Sequence, residues 1–303
     1  MTMSSNAFPV QIIGRWNKNK YEVVRELGRG ANGIVYQVTR DNQYYACKCS
    51  SDLTTIQMEI NVLQHFARTR ERFYGSFLLD ADDFLWNGQL YSYYIMPYFK
   101  GVTLDRWIRQ KGRGEAARCI NHLLERVGPI HEAGYAFGDI KAANVLVSPG
   151  SGEVTLIDFG GVTPFGQGIR QYTEQYDQGV WKGASRKADQ IYDLFSISIL
   201  FLELLVQDRI LLAQLLKSRA GMAGLERLIN KYVEPHYRKV LWYGIRGKYQ
   251  SVENMRKHLI QCDKSLKNQR QDIVPSGRGL IYGMLFIASI LYLCGYWLQG
   301  NIP

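Results

Sequence analysis

The sequence predicts an α+β, bilobal chain: a small β-rich lobe with one helix, a larger helical lobe, and a C-terminal transmembrane helix. Three observations carry that expectation. Residues 21–48 hold three runs rich in β-branched and aromatic residues, "YEVVREL", "GIVYQVT" and "YYACKCS". From Thr103 onward the pattern is mostly helical. Residues 280–298 are 19 positions without a charge, and as a helix they span about 28 Å, close to the hydrocarbon thickness of a bilayer. The boundaries follow: an N-terminal arm (1–20), the β-rich lobe and hinge (21–100), the helical lobe (101–262), a basic linker (263–279), the membrane span (280–298) and a short external tail (299–303).

Each element has its local reason. Asp41-Asn42 is a turn signal between the second and third strands. In "DLTTIQMEINVLQHFAR", Ile56, Ile60 and Leu63 recur at helical spacing behind Asp52, a candidate N-cap. "FYGSFLL" and "LYSYYIMPYF" return to strand character, and "YAFGD", "NVLVS" and "VTLIDFGG" are expected as short strands and loops. The apolar run 191–205 predicts a buried helix. The stretch after Leu205 is short and basic, so the late helical lobe is expected to be reduced. Pro275-Ser276-Gly277 breaks the linker.

With 46% hydrophobic and 13% aromatic residues, the 303-residue chain has ample core material, which excludes disorder for most of its length. The five cysteines are odd in number and match no zinc spacing, so a reduced compartment is expected. The net charge is +10, and residues 205–279 hold 15 Lys and Arg against 6 Asp and Glu, a net of +9. That asymmetry suits an anionic partner, lipid head groups or nucleic acid, and equally a solvated basic face. No cleavable signal peptide is visible at the N-terminus. Lys264, Lys267, Arg270 and Arg278 precede the span and no Lys or Arg follows it. The positive-inside bias then predicts a single-pass cell-membrane protein with everything before residue 280 in the cytoplasm. A buried terminal core helix is the competing reading of the same run.

Gly28-Arg29-Gly30-Ala31-Asn32-Gly33 is weak evidence alone, because dinucleotide folds share G-x-G-x-x-G. Here a strand follows rather than a helix, which suits a hairpin flap over nucleotide phosphates. Lys48, on the next strand, needs a counter-ion if buried, and Glu59 on the following helix can supply it. In "YAFGDIKAANVLV", Asp139 is positioned to take the proton of an attacking hydroxyl, Lys141 to neutralise the transferred phosphate, and Asn144 to ligate Mg²⁺. In "LIDFGG", Asp158 is expected to hold the Mg²⁺ shared by the β- and γ-phosphates, Asn144 serving a second Mg²⁺, and Phe159 is expected to pack inward.

Over about residues 21–262 the chain resembles the Hanks-type (eukaryotic-like) bacterial Ser/Thr protein kinases. Within that family it resembles short kinases with a basic linker and a C-terminal membrane span, through "ELGRGANGIVY", "FGDIKAANVLV", "YTEQYDQGVW" and "SRKADQIYDLFS". The resemblance implies the bilobal protein-kinase fold and transfer of the ATP γ-phosphate to protein Ser/Thr hydroxyls, with Mg²⁺. It implies an ATP site of Gly28, Gly30, Gly33, Val35, Ala46, Lys48 and Leu146, with Met96 as gatekeeper and Pro97 to Phe99 as hinge. Asp193 is expected to brace the catalytic loop.

The chain departs from the pattern in two places. Phe137-Gly138-Asp139 stands where the family has His-Arg-Asp, which removes the arginine that grips an activation-loop phosphate. Ala-Pro-Glu is also absent, with "GVWKGAS" in that region, which leaves substrate-docking geometry open. Two rivals remain: a small-molecule phosphotransferase, which shares Gly-Asp, and a membrane pseudokinase scaffold. Lys141 favours a protein substrate, and the retained Lys48, Asp139, Asn144 and Asp158 favour an enzyme. Further expectations are activation by non-sequence-specific DNA on the basic surface and a homodimer that autophosphorylates, with Thr163, Thr173 and Ser185 as candidate acceptors.

Overall fold

The computed structural model describes residues 9–30, 32–68 and 77–263. The first lobe is built on β1 (Gln11–Ile13), β2 (Lys20–Gly30), β3 (Gly33–Arg40), β4 (Gln43–Ser50), α1 (Leu53–Arg68), β5 (Asp80–Trp86) and β6 (Gln89–Pro97). Its strands form one antiparallel sheet in the order β1-β2-β3-β4-β6-β5. The β3–β4 turn falls on Asp41 and Asn42, at φ 51° and 60°, the positive φ that a two-residue hairpin needs. Asp52 caps α1: one carboxylate oxygen accepts the N–H groups of Thr54 and Thr55 at 3.1 Å each.

Register decides what each face of this sheet carries. Val35 lies opposite Lys48, Ala46 opposite Met96, and Lys48 opposite Tyr94. Cross-strand partners share a face and residues two apart repeat it. One face therefore presents Gly33, Val35, Ala46, Lys48, Tyr94 and Met96. The other presents Tyr36, Val38, Cys47, Cys49, Tyr93 and Ile95, which with Ile12, Tyr21 and Phe84 form a buried cluster. Cys47 and Cys49 are thus core neighbours of Lys48, and burial pushes the Cys49 thiol up to about 12.

One expectation is corrected here. Phe77 to Leu79, the described end of "FYGSFLL", is not strand; the strand begins at Asp80, and 73–76 lie outside the described residues. Asp80, Asp82 and Asp83 disfavour strand locally, yet the polypeptide before β2 recruits them. Asp82 accepts the Asn17 N–H at 2.7 Å, and Asp80 accepts the Asn19 amide at 2.9 Å and the Tyr21 hydroxyl at 2.8 Å. The 1–20 arm, for its part, contributes β1 as an edge strand on β2.

The second lobe comprises β7 (Val102–Thr103), α2 (Leu104–Lys111), α3 (Ala116–Glu132), β8 (Tyr135–Ala136), β9 (Val145–Val147), β10 (Val154–Leu156), β11 (Thr163–Pro164), α4 (Gln178–Lys182), α5 (Gln190–Val206), α6 (Arg209–Lys217), α7 (Gly221–Tyr232), α8 (Pro235–Ile245) and α9 (Val252–Cys262). α5 is buried over almost all of its length and packs against α3 and α8, as its apolar run predicts. Among the described residues four helices follow α5, so the lobe is less reduced than its sequence suggests. Small sheets β10-β9-β7 and β11-β8 hold the loops between α3 and α4.

The chain divides into two compact units, 1–259 and 260–303. The expected membrane span at 280–298 and all but the first residue of the linker lie outside the described residues. Among the described residues, no helix is long and apolar enough to cross a membrane.

Candidate active site

The site starts from the buried lysine. Lys48 is 4% exposed and Glu59 2%, so neither charge would survive there unpaired. The Lys48 ammonium lies 2.7 Å from both Glu59 carboxylate oxygens and 2.8 Å from Asp158 Oδ1. Tyr94 donates its hydroxyl to Glu59 Oε2 at 3.0 Å. Burial opposes the charge on Lys48, but the two carboxylates outweigh it and hold its pKa above the ordinary value. Burial likewise opposes charge on Asp158, yet Lys48 holds that carboxyl below its ordinary value. On Glu59 burial prevails over Lys48 and lifts the pKa.

The flap above this pair is the β2–β3 hairpin, where Gly30 pairs with Gly33 and Gly28 with Val35. Gly33 has φ 134°, and a Cβ there would collide with the Cys49 carbonyl. At Gly28 and Gly30 a Cβ would meet open space, so those positions leave room above the sheet face that carries Lys48. Val35 and Leu146 are half-buried, Ala46 and Met96 buried, and Pro97 ends β6 with Tyr98 and Phe99 following.

The catalytic loop is braced from beneath. Asp193, on α5, is fully buried and accepts the N–H groups of Phe137 at 2.6 Å and Gly138 at 2.9 Å, with His131 Nε2 at 2.8 Å. Gly138 has φ 83°, and a Cβ would strike the Gly161 carbonyl. The residue that stands where the family has arginine is thus glycine for a local steric reason. Lys141 donates to Asp139 Oδ2 at 2.6 Å, and the Asn144 amide donates to the Asp139 carbonyl at 2.9 Å. Phe159 is buried against the rings of Phe66, Phe77 and Phe137, at centroid distances of 6.4, 5.3 and 5.8 Å.

Two residues with parts in this geometry were not singled out for them in the sequence. Thr173 donates to Asp139 Oδ1 at 2.8 Å and accepts from Lys141 at 3.2 Å, so its hydroxyl joins the catalytic loop. Asp177, fully buried, takes Arg186 Nε at 2.7 Å, the Tyr192 hydroxyl at 3.0 Å and the Gly179 N–H at 3.0 Å. Tyr176 donates to Glu203. The backbone of 166–169 bonds to that of 186–188, Gly166 N–H to Ala188 at 2.9 Å and Ile169 N–H to Arg186 at 2.8 Å. The activation segment is thus held by its own network. Thr163, an expected phosphate acceptor, is fully buried and bonded to the Gly161 carbonyl, which removes it from that role in this conformation.

The donor set suits a divalent magnesium ion. Among the described residues Asp158 bonds protein groups through Oδ1 alone, leaving a carboxylate oxygen, and Asn144 bonds through its amide nitrogen, leaving its carbonyl oxygen. Hard oxygens of this kind, completed by phosphate and water, are what Mg²⁺ takes.

Residues 21–270 match the family model described as the protein kinase domain. The chain is 32% identical over 269 residues to the serine/threonine-protein kinase YabT of Bacillus subtilis, covering 88% of this chain and 78% of that protein. It is 26% identical over 160 residues to the probable serine/threonine-protein kinase PknB of Lactococcus lactis, covering 49% of this chain and 24% of that one. Among solved structures, vaccinia related kinase 3 superposes with a TM-score of 0.65 at 16% identity, covering 89% of this chain and 94% of that one. That likeness speaks for the fold alone.

Proposed function

The chain belongs to the protein kinase family and is a protein serine/threonine kinase, and from that premise we propose how its residues divide the work. Asp139 takes the proton of the attacking hydroxyl. Lys141 meets the transferred phosphoryl group, and Thr173 holds both in place. Lys48, kept in position by Glu59, contacts the α- and β-phosphates under the Gly28–Gly33 flap. The Pro97 carbonyl and Phe99 N–H read the adenine edge between Val35, Ala46, Met96 and Leu146. Asn144 and Asp158 would hold Mg²⁺, whose chemistry there would be to neutralise phosphate charge.

The observation that carries this reading is the convergence of two clusters, Lys48–Glu59–Asp158 and Asp139–Lys141–Thr173, from segments far apart in sequence. Incubating the full chain with labelled ATP and Mg²⁺ tests it beside Asp139→Asn. Transfer is expected to fall by about 10²–10⁴-fold in the variant, the usual worth of a positioned base. Equal transfer by both would overturn the assignment.

The location is part of the same proposal. Residues 280–298 anchor the enzyme as a single pass, with the kinase domain on the cytoplasmic face, and deleting them should move the protein from the membrane fraction to the supernatant. Regulation is proposed through DNA bound without sequence preference. Of the basic residues after α5, Arg246, Arg256 and Lys257 already face Glu226, Glu125 and Glu253. Lys217, Arg219, Arg227 and Lys248 are exposed or half-exposed and have no acidic partner among the described residues, which supports an anion-binding surface. DNA should raise activity at low salt and lose that effect at high salt; equal rates throughout would sink the idea. Paired copies that phosphorylate each other complete the proposal, checked by mixing active chain with Asp139→Asn and mapping phosphate on the inactive copy.

A further inference from the structure

We propose that this kinase selects Ser/Thr acceptors flanked by acidic residues, read by a collar of basic side chains on both sides of Asp139. The inference rests on the phosphoryl-transfer reading above and adds the substrate class. One side of the collar is α2, which packs against the 142–144 turn that carries Asn144. Residues 100–113 hold Lys100, Arg106, Arg109, Lys111 and Arg113, all exposed, against Asp105 alone. Arg109 faces Asp105 at 2.7 Å, Arg113 faces Glu234 at 3.2 Å, and Lys111 lies 5.4 Å from the Trp107 ring centre. Lys100 and Arg106 have no acidic partner among the described residues.

The other side is the activation segment. Ile169 lies over Gly138, where a Cβ would sit 3.5 Å from Ile169 Cδ1, and Thr173 is bonded to Asp139. Arg170 stands between these two anchors, exposed and without an acidic partner among the described residues. Lys187, also exposed and uncommitted, belongs to the opposite strand of the same short pair, with its backbone bridged to Gly168. Arg186 is already matched to Asp177. Between residues 166 and 187 the exposed acid is Glu174.

A peptide laid across Asp139 therefore meets uncommitted cations from two directions and little negative charge. Acidic side chains beside the acceptor are attracted, and basic ones are repelled, which supplies selection in both senses. Nucleic acid would meet the same charge. The collar, however, brackets the base that must admit a Ser or Thr side chain, which favours a peptide as its ligand.

The test uses the full chain and three synthetic peptides that share one Ser and one Thr and differ in their flanks: Asp/Glu, Ala or Lys. The acidic peptide is expected to show a KM about tenfold below the Ala peptide, with kcat little changed, as two or three exposed ion pairs supply. The advantage should shrink as salt rises. Combining Arg106→Glu, Arg170→Glu and Lys187→Glu should reverse the order, so that the Lys peptide becomes the better substrate. A misfolded variant would lose all three peptides without reversing them; combining Arg106→Gln, Arg170→Gln and Lys187→Gln should then bring the KM values close together with transfer retained, and an undiminished acidic preference would overturn the proposal. Lys20→Glu, at the start of β2, should leave the order as it is.

Equal KM values for the three peptides with the unaltered chain would overturn the proposal while leaving the kinase reading intact. No transfer to any peptide or protein would overturn both. Competition by mixed-sequence duplex DNA against the acidic peptide, lost in the triple variant, would assign the collar to nucleic acid and overturn the peptide proposal.

Discussion

Two fully buried aspartates stand on either side of Asp139, and they are satisfied in different ways. Asp193 holds the catalytic loop through two backbone N–H groups and a histidine. Asp177 holds the activation segment through a partly exposed arginine, a tyrosine hydroxyl and one backbone N–H. The first brace is wholly buried, and two of its three partners are backbone groups. The second depends on a side chain that reaches in from the surface. The catalytic loop is therefore held from the interior, whereas the activation segment is held in part from the surface.

Asp193→Ala should be the most damaging change to either brace. It leaves two buried N–H groups unmatched, each costing about 1–3 kcal/mol, so the denaturant midpoint should fall sharply and activity with it. Arg186→Ala should cost about 1–2 kcal/mol, because buried Asp177 loses its cation but keeps the Tyr192 hydroxyl and the Gly179 N–H. Asp177→Asn should cost less, because an amide keeps a hydrogen-bonding oxygen and carries no charge. If Asp177→Asn proves the worse of the two, the ion pair is not what holds the segment.

Gly138→Ala should cost about 1–2 kcal/mol from its positive φ alone, and more from the collision with Gly161. Because Asp139 is the next residue, kcat should fall further than stability does. Thr173→Val should lower kcat by about tenfold by freeing Asp139 and Lys141, while Thr173→Ser should keep most activity, since the hydroxyl alone makes both contacts. A Thr173→Val enzyme of full activity would place the threonine outside the machinery.

The smallest effect is that of pH. Asp158, with a lowered folded pKa, adds stability above its ordinary 3.8 that is lost as pH falls through the folded value. Lys48, with a raised folded pKa, adds stability below its ordinary 10.5 that is lost as pH rises through the folded value. Glu59, raised by burial, opposes Asp158 in acid by favouring its own protonation in the fold. Unfolding midpoints should thus be flat from about pH 5 to 9, with the alkaline loss steeper than the acid one. Lys48→Met should shorten the alkaline limb without abolishing it, because the buried Cys49 thiol, pushed up to about 12, also costs stability as pH rises.

Much of the first lobe was legible because each strand and helix announces itself within a few residues. "GIVYQVT" and "YYACKCS" became β3 and β4 with their turn at Asp41-Asn42, and Asp52 capped α1 as expected. β5 was not legible, since "DADDFLW" opens with residues that avoid strands and owes its pairing to Asn17, Asn19 and Tyr21 some sixty positions earlier. In the site, the partnership of Lys48 with Glu59 could be anticipated because a buried lysine needs one counter-ion and the next helix offered it. Thr173 and Asp177 were harder, because a threonine or an aspartate in a polar loop has many local uses.

The sequence by itself determined the bilobal order, the kinase motifs and their spacing, since these follow from local periodicity and from the residue types that phosphate chemistry requires. Tertiary structure alone decided which carboxylate meets which cation. It seated Thr173 on Asp139, closed Asp177 around Arg186, and left Arg106, Arg170 and Lys187 without an acidic partner among the described residues. Those choices are made by side chains brought together from distant segments, where low dielectric and close packing make one pairing far better than the rest.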